Sequence, residues 1–293
     1  IENNNSKLND EFLNLLRLSY HDMNFNNVEI SSKNEFSFSV DKRFNYENFF
    51  LNSEISLNKA EYEKPKLLSK YFTEEKNVIN LRNHKIKAIF KDNNLSLNGS
   101  GKIQLEKEYD DIDYSISQSG DKVNIDSNIK LSRLNIKSQK NLKTFFPKIN
   151  EVLNLKDHQI NIKFKDNNLS LNGSGKIQLE KEYDDIDYSI SQSGDKVNID
   201  SNIKLSRLNI KSQKNLKTFF PKINEVLNLK DHQINIKFKD NNLSLNGSGK
   251  IQLEKEYDDI DYSISQSGDK VNFDTKFIFN KTQFEVERIN FNK

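Results

Sequence analysis

QINIKFKDNNLSLNGSGKIQLEKEYDDIDYSISQSGDKVNIDSNIKLSRLNIK, residues Gln159–Lys211, alternates apolar and polar side chains through nearly its whole length. A period of two is the mark of a half-buried β-strand, because successive side chains of a strand point to opposite faces. Ile160, Ile162 and Phe164 make a first strand, and Lys165-Asp166-Asn167-Asn168 reads as a turn, since Asn and Asp tolerate left-handed backbone. Leu169, Leu171, Gly173, Gly175, Ile177 and Leu179 then share one face of a long second strand. Its two glycines mark a bend, a bulge or a close backbone approach. After a turn at Glu182-Tyr183-Asp184-Asp185, Ile186, Tyr188 and Ile190 form a third strand. Ser193-Gly194-Asp195 turns the chain into a fourth, carrying Val197, Ile199, Ile203 and Leu205. Leu208 and Ile210 then fall out of phase, so a bulge or turn is expected near Ser206-Arg207 with a short fifth strand beyond it.

Downstream the period lengthens. Leu216, Phe219, Phe220, Ile223, Val226 and Leu227 follow the spacing of a short amphipathic helix, with Thr218 as candidate N-cap and Pro221 in the first turn.

This pattern recurs. Lys91–Phe164 is repeated without change as Lys165–Phe238, an offset of 74 residues, and the third copy runs unaltered to Asn272. At the same offset, Leu51–His84 aligns with Ile125–His158 with most residues changed. Leu51/Ile125, Ile55/Ile129, Leu57/Leu131, Tyr71/Phe145, Phe72/Phe146, Val78/Val152 and Leu81/Leu155 stay apolar, whereas Thr73 stands where the other copies have proline. Fixed-period self-similarity means stacked structural units, whatever the total length. The expected organisation is a diverged repeat over 1–84, repeats over 85–158 and 159–232, and a partial or altered terminal repeat over 233–293. The expected fold is all-β: an elongated array of antiparallel β-meander repeats, about five strands and one short helix per unit, forming a curled, open sheet or groove. Such a unit advances the sheet by roughly 20–25 Å.

Composition narrows the function. Apolar residues make up 34% of the chain and charged residues 30%, lean for a compact globule and suited to a sheet that buries one face. Net charge is +2 with both signs interspersed, so nothing favours a nucleic acid partner or an anionic membrane surface. The absence of cysteine excludes disulfides, thiolate metal sites and a cysteine nucleophile. No apolar run approaches the ~20 residues that span a bilayer. The chain begins with Ile rather than Met, so it is expected to be a segment or processed product, with any anchor upstream.

No motif of catalysis or metal binding is complete in the sequence. Gly173-Ser174-Gly175-Lys176 lacks the earlier glycine and the following Ser or Thr of a phosphate loop, and it lies within strand alternation. Glu180, Glu182, Asp184, Asp185 and Asp187 lack the spacing of a calcium loop and read as a solvated hairpin turn. His84, His158 and His232 each stand alone at a strand entry, without convergent metal ligands. Asn168 and Asn172 match the glycosylation pattern at chance level for so Asn- and Ser-rich a chain. No nucleophile elbow is present. The chain is expected to be no enzyme, to hold no metal and to need no cofactor.

What remains is the apolar face. One short helix per unit is too little to cover it. Ile160, Ile162, Phe164, Leu169, Leu171, Ile177, Leu179, Ile186, Tyr188, Ile190, Val197, Ile199, Ile203 and Leu205 are the candidate ligand-facing residues. The run Ile162–Ile177, followed by Tyr188-Ser189-Ile190-Ser191, resembles the β-repeat regions of the AsmA-like family (the TamB/YhdP type) and the repeating β-groove modules of bridge-like lipid transfer proteins. That resemblance covers about residues 85–293 and implies a periplasmic protein anchored to the inner membrane by a segment outside this sequence. It further implies a groove for phospholipid or another acyl lipid, with envelope membrane proteins as further partners. The rival expectation is a structural or adhesive repeat stalk without a ligand, in which copy number sets reach.

Overall fold

The alternating runs form strands throughout. The computed structural model describes residues 1–8, 25–63, 78–138, 143, 146–212, 214–280, 282, 285–286 and 291–292. Fifteen strands occur in order: β1 (Glu2–Lys7), β2 (Phe25–Val40), β3 (Tyr46–Glu63), β4 (Val78–Lys91), β5 (Asn94–Gln104), β6 (Asp110–Ser119), β7 (Lys122–Lys137), β8 (Val152–Lys165), β9 (Asn168–Gln178), β10 (Tyr183–Ser193), β11 (Lys196–Lys211), β12 (Val226–Lys239), β13 (Asn242–Gln252), β14 (Tyr257–Ser267) and β15 (Lys270–Ile278). They form one 15-stranded sheet in sequential order, so every neighbour in space is a neighbour in sequence. β1 and β15 are its outer strands, and the sheet is not closed into a barrel. Two short strands, Glu285–Val286 and Phe291–Asn292, pair separately.

Contacts divide the chain into two compact units, Ile1–Asn135 with Asp157–Leu171, and Ile136–Lys156 with Asn172–Lys293. Their boundary cuts across β7, β8 and β9, so a sequence repeat and a compact unit are different things.

Each copy contributes four strands rather than five. β11 carries both the fourth and the fifth expected runs as one continuous strand, and β7 does the same. The phase slip leaves the register of β11 with β12 unchanged, since Leu205↔His232 and Arg207↔Lys230 lie on one ladder. The bulge lies one strand further on. Between β12 and β13 the register shifts by one residue, from Lys230↔Lys250 to Gln233↔Ser248. Asp231 there has a φ of 53°, as have Asn83 and Asp157 at the corresponding places. The extra residue restores the phase, so that Leu227 and Leu229 return to the face of Ile234.

The hairpins follow the turn residues. Asp166 (φ 49°) and Asn167 (φ 60°) both take left-handed backbone, as a two-residue turn matched to strand twist requires. Gly194 (φ 56°) supplies the single left-handed residue of the other hairpin.

Over the described residues 214–227 the expected α-helix does not form. Lys214–Thr218 makes one 3-10 turn, and Val226 and Leu227 belong to β12. A helix this short is marginal on its own, and the chain's backbone groups find partners elsewhere. Ser212 N–H donates to the Glu225 carbonyl at 2.9 Å, and Asn224 N–H donates to the Leu253 carbonyl at 2.9 Å. Those bonds fold the segment over the sheet, which buries Phe220 and Ile223. Pro221 therefore lies in an irregular connector, where its missing N–H breaks no ladder. In the preceding connector Asn150 N–H donates to the Leu179 carbonyl and Ile149 is buried. Tyr71, Phe72, Thr73 and Phe145 lie outside the described residues.

Candidate functional site

The register places the apolar side chains in rows across the strands. In the second compact unit, Ile203, Ile234, Gly247 and Tyr262 stand side by side, and so do Ser201, Ile236, Leu245, Ile264 and Phe273. A third row runs Ile199, Phe238, Leu243. In the first unit, Ile86, Gly99 and Tyr114 form one row and Ala88, Leu97, Ile116 and Ile125 another.

This face has two ends of different character. At one, the connector closes over the sheet: Phe220 and Ile223 pack on Leu205, Leu208, Leu227, Leu229, Ile251 and Leu253, all buried. Ile149 with Leu153 and Ile177 makes the corresponding cluster one copy earlier. Toward the Asp-Asn hairpins nothing among the described residues lies on the face. Ile199, Phe238, Leu243, Leu245 and Ile264 are only partly buried there, and Phe273 is 66% exposed at the outer strand.

Of the fourteen candidate residues, Ile177 and Leu205 are buried and the other twelve half-buried. Ile160, Ile162, Phe164, Leu169 and Leu171 lie in the first compact unit, the rest in the second. Pairing sets Ile186 beside Ile203 and Ile190 beside Ile199. Leu179, Ile186 and Ile177 pack into the covered end.

The opposite face is polar. A trough of about 740 Å³ is lined by Asn202, Lys204, Asn235, Asn246, Ser248, Asp261 and Asp274 together with Ile203, Ile234, Gly247 and Tyr262. The first copy has a similar one of about 530 Å³ around Asn98, Ser100, Asp113 and Asn128. Ion pairs such as Lys102–Asp111 (2.6 Å) and Lys237–Asp200 (3.6 Å) lie among exposed side chains, where such pairs contribute little.

Two buried polar devices recur, and neither was legible as such in the sequence. In the first, Gly99 and Gly101 form a notch for rings from both neighbouring strands. A Cβ on Gly99 would sit 2.5 Å from Cζ of Tyr114, and one on Gly101 would meet the His84 ring. Tyr114 hydroxyl bonds His84 Nδ1 at 3.2 Å, and His84 Nε2 bonds the Lys102 carbonyl at 3.1 Å. A carbonyl only accepts, so Nε2 carries the proton and Nδ1 accepts from the tyrosine. His232, Tyr262 and the Lys250 carbonyl repeat this at 3.2 and 2.8 Å. The histidines are thus mid-strand and 1–2% exposed. Burial lowers the pKa of His84 and His232, partly opposed by the carbonyl bond. Burial also pushes the Tyr114 hydroxyl up to about 12.

A pH dependence follows. The folded state disfavours the imidazolium, so the unfolded chain binds more protons below the ordinary value of 6.5. Stability is present above that value and is lost as pH falls from 6.5 through the lowered folded pKa. Denaturant midpoints at stepped pH should show this decline, and the variant with Phe at positions 84, 158 and 232 should lack it. A wild-type midpoint flat from pH 7.5 to 5 would contradict the assignment.

The second device corrects the reading of the acidic cluster as a solvated turn. Asp184 is 3% exposed. Its Oδ1 accepts Ser206 N–H at 2.7 Å and Ser206 Oγ–H at 2.5 Å. Glu180 Oε1 accepts Asn209 N–H at 2.7 Å, and Oε2 accepts Asn209 Nδ2–H at 2.5 Å. Pairing of β10 stops at Asp185↔Lys204, and these carboxylates serve the N–H groups of β11 beyond that point. Asp110 and Glu106 do the same for Ser132 and Asn135. Asp258 accepts from Asn280 N–H and from Thr282. Glu182, Asp185 and Asp187 do remain exposed.

No group of three His, Cys, Asp or Glu residues that could hold a metal occurs among the described residues. No described helix is long and apolar enough to cross a membrane. No protein-family description, curated protein or solved structure matches the chain.

Proposed function

We propose that the open end of the apolar face binds acyl chains of phospholipid or a similar lipid, within a longer cell-envelope protein that holds or conducts lipid. The observation that carries the reading is the one-sided cover. The connectors seal one end of the face, while its other end keeps rows of Ile, Leu and Phe at the surface of a single-layer sheet. Exposed contiguous apolar surface of this kind is uncommon in soluble monomers and marks a site of association. The strands are 11 and 14 residues long, and a stretch of about 6–8 residues at roughly 3.3 Å per residue already spans ~20–27 Å, comparable with an acyl chain.

The test is native mass spectrometry of the purified chain with extraction of bound lipid. Acyl lipid adducts are expected, and Leu245→Asp at the open end should reduce them at unchanged strand content by circular dichroism. A chain that carries no lipid and takes none up from phospholipid vesicles would defeat the proposal.

A repeat scaffold without ligand is the second reading. It is favoured by the recurrence of the His–Tyr–Gly notch and the carboxylate caps, which account for the buried polar groups on structural grounds alone.

A further inference from the structure

One side-chain triad is complete in the middle copy and broken in its neighbours. Lys148 lies in the connector before β8, Glu180 in the bend after β9, and Asn209 near the end of β11. Lys148 Nζ donates to Asn209 Oδ1 at 3.1 Å. On the other side of the same carboxamide, Nδ2 donates to Glu180 Oε2 at 2.5 Å. Asn209 is 3% exposed, so water has little access to its carboxamide. The carboxamide is held at both its oxygen and its nitrogen, and Glu180 Oε1 also accepts the Asn209 backbone N–H at 2.7 Å.

One copy earlier the acid and the amide are in place without the amine. Asn135 Nδ2 donates to Glu106 Oε2 at 2.9 Å, but the position of Lys148 is taken by Glu74. The Asn135 carbonyl oxygen is accordingly buried without a hydrogen-bond partner. One copy later Lys222 and Glu254 are kept, but the position of Asn209 is Gln283, and Glu254 Oε1 is buried without a partner.

We propose that Lys148 and Asn209 join in an intramolecular isopeptide bond, with Glu180 as the proton carrier. The unprotonated Nζ attacks the Asn209 Cγ and forms the new C–N bond. Glu180 takes a proton from the attacking nitrogen in the tetrahedral adduct and passes it to Nδ2, with which it already bonds. The C–Nδ2 bond then breaks and ammonia leaves. An amine and a primary amide become a secondary amide and ammonia, so no oxidant or other reactant is required. Positioning of this kind replaces a bimolecular encounter, and acid–base assistance lowers the remaining barrier. The product ties the β7–β8 connector to β11, which fastens the cover of the apolar face permanently. It does not depend on whether that face binds lipid.

Intact-mass spectrometry of the denatured full chain decides the matter. The expected mass is below the sequence mass by one ammonia, about 17 Da. Because the attack needs the unprotonated amine, conversion of freshly made protein should quicken as the incubation pH is raised. Lys148→Arg should restore the full sequence mass, and its site on an exposed connector leaves the fold intact. Glu180→Gln, which removes the proton carrier and keeps only one of the two acceptors for Asn209, should slow conversion at least tenfold. Tryptic peptides of the wild type should include one branched pair that Lys148→Arg removes. A wild-type chain that stays at full sequence mass after prolonged alkaline incubation overturns the proposal and leaves the triad a hydrogen-bonded clamp. A mass loss that persists in Lys148→Arg overturns it equally, by placing the chemistry elsewhere.

Discussion

Gly99→Ala is expected to destabilise the protein by about 2–4 kcal/mol, far more than a glycine-to-alanine change in an ordinary strand, where the larger side chain helps. The new Cβ would stand 2.5 Å from Cζ and Oη of Tyr114, against a normal carbon contact of about 3.5–4.0 Å. The ring must move by more than an ångström. Moving it breaks the hydroxyl bond to His84 Nδ1, and a buried imidazole acceptor is then left without a partner. A double-mutant cycle isolates this cause. Tyr114→Ala removes the obstacle, so Gly99→Ala in that background should be neutral or mildly stabilising, with a coupling of about 2–4 kcal/mol. Additive effects in denaturant titrations would show that the notch is no notch. Gly120→Ala is the contrasting case, since its Cβ meets nothing within 4 Å and only its φ of 56° resists the change.

Reading the strands from sequence worked where a side chain's own type decided its environment. Ile, Leu and Phe at every second position determine which face is buried, and Asp-Asn or Gly at a turn determines the backbone there. Readings failed where a partner decided. The spacing Leu216, Phe219, Phe220, Ile223 is that of a helix, yet the groups it must bury against lie on β12 and β13, and a folded connector reaches them as well. The fifth strand rests on a phase slip at Ser206, but the pattern of the opposite strand slips at Asp231 as well, so the ladder keeps one register from Ile203↔Ile234 to Leu208↔Leu229. A single sequence cannot show that two phase slips face each other across a ladder.

The buried polar groups were hidden for the same reason. His232 and Tyr262 are 30 residues apart, and nothing local in either marks the other. The trace that was readable is the Gly-x-Gly pair in a strand, and it did signal close approach. The sequence could not say that the approaching groups were rings. Identity of the copies was no help, because unchanged residues cannot be ranked; Leu51–His84 alone, with its polar positions drifted, separated the retained face from the rest.

Asp184→Ala should cost about 2–4 kcal/mol, and this is the test of whether the acidic turn is structure or unused surface. The substitution removes the acceptor of both Ser206 N–H and Ser206 Oγ–H, at a residue that has lost its β10 partner. An orphaned buried N–H retains its full desolvation penalty. Asp184→Asn keeps one oxygen in the same place and should recover more than half of the loss, whereas Ser206→Ala, which leaves the backbone bond intact, should cost about 1 kcal/mol. The pH dependence has a sign of its own. Burial, the largest influence, raises the carboxyl of Asp184 above its ordinary 3.8, against the opposing bonds from Ser206. The folded state therefore holds this proton more tightly than the unfolded chain. Its contribution to stability is greatest below 3.8 and falls as pH rises through the raised folded value, then stays level. That slope runs opposite to the one from the histidines and begins at lower pH, so the two are separable in one series of midpoints, and Asp184→Ala should remove only the acidic one. If Asp184→Ala unfolds at the wild-type midpoint with the acidic slope intact, the carboxylate does not cap β11, and the cluster is free to serve a ligand.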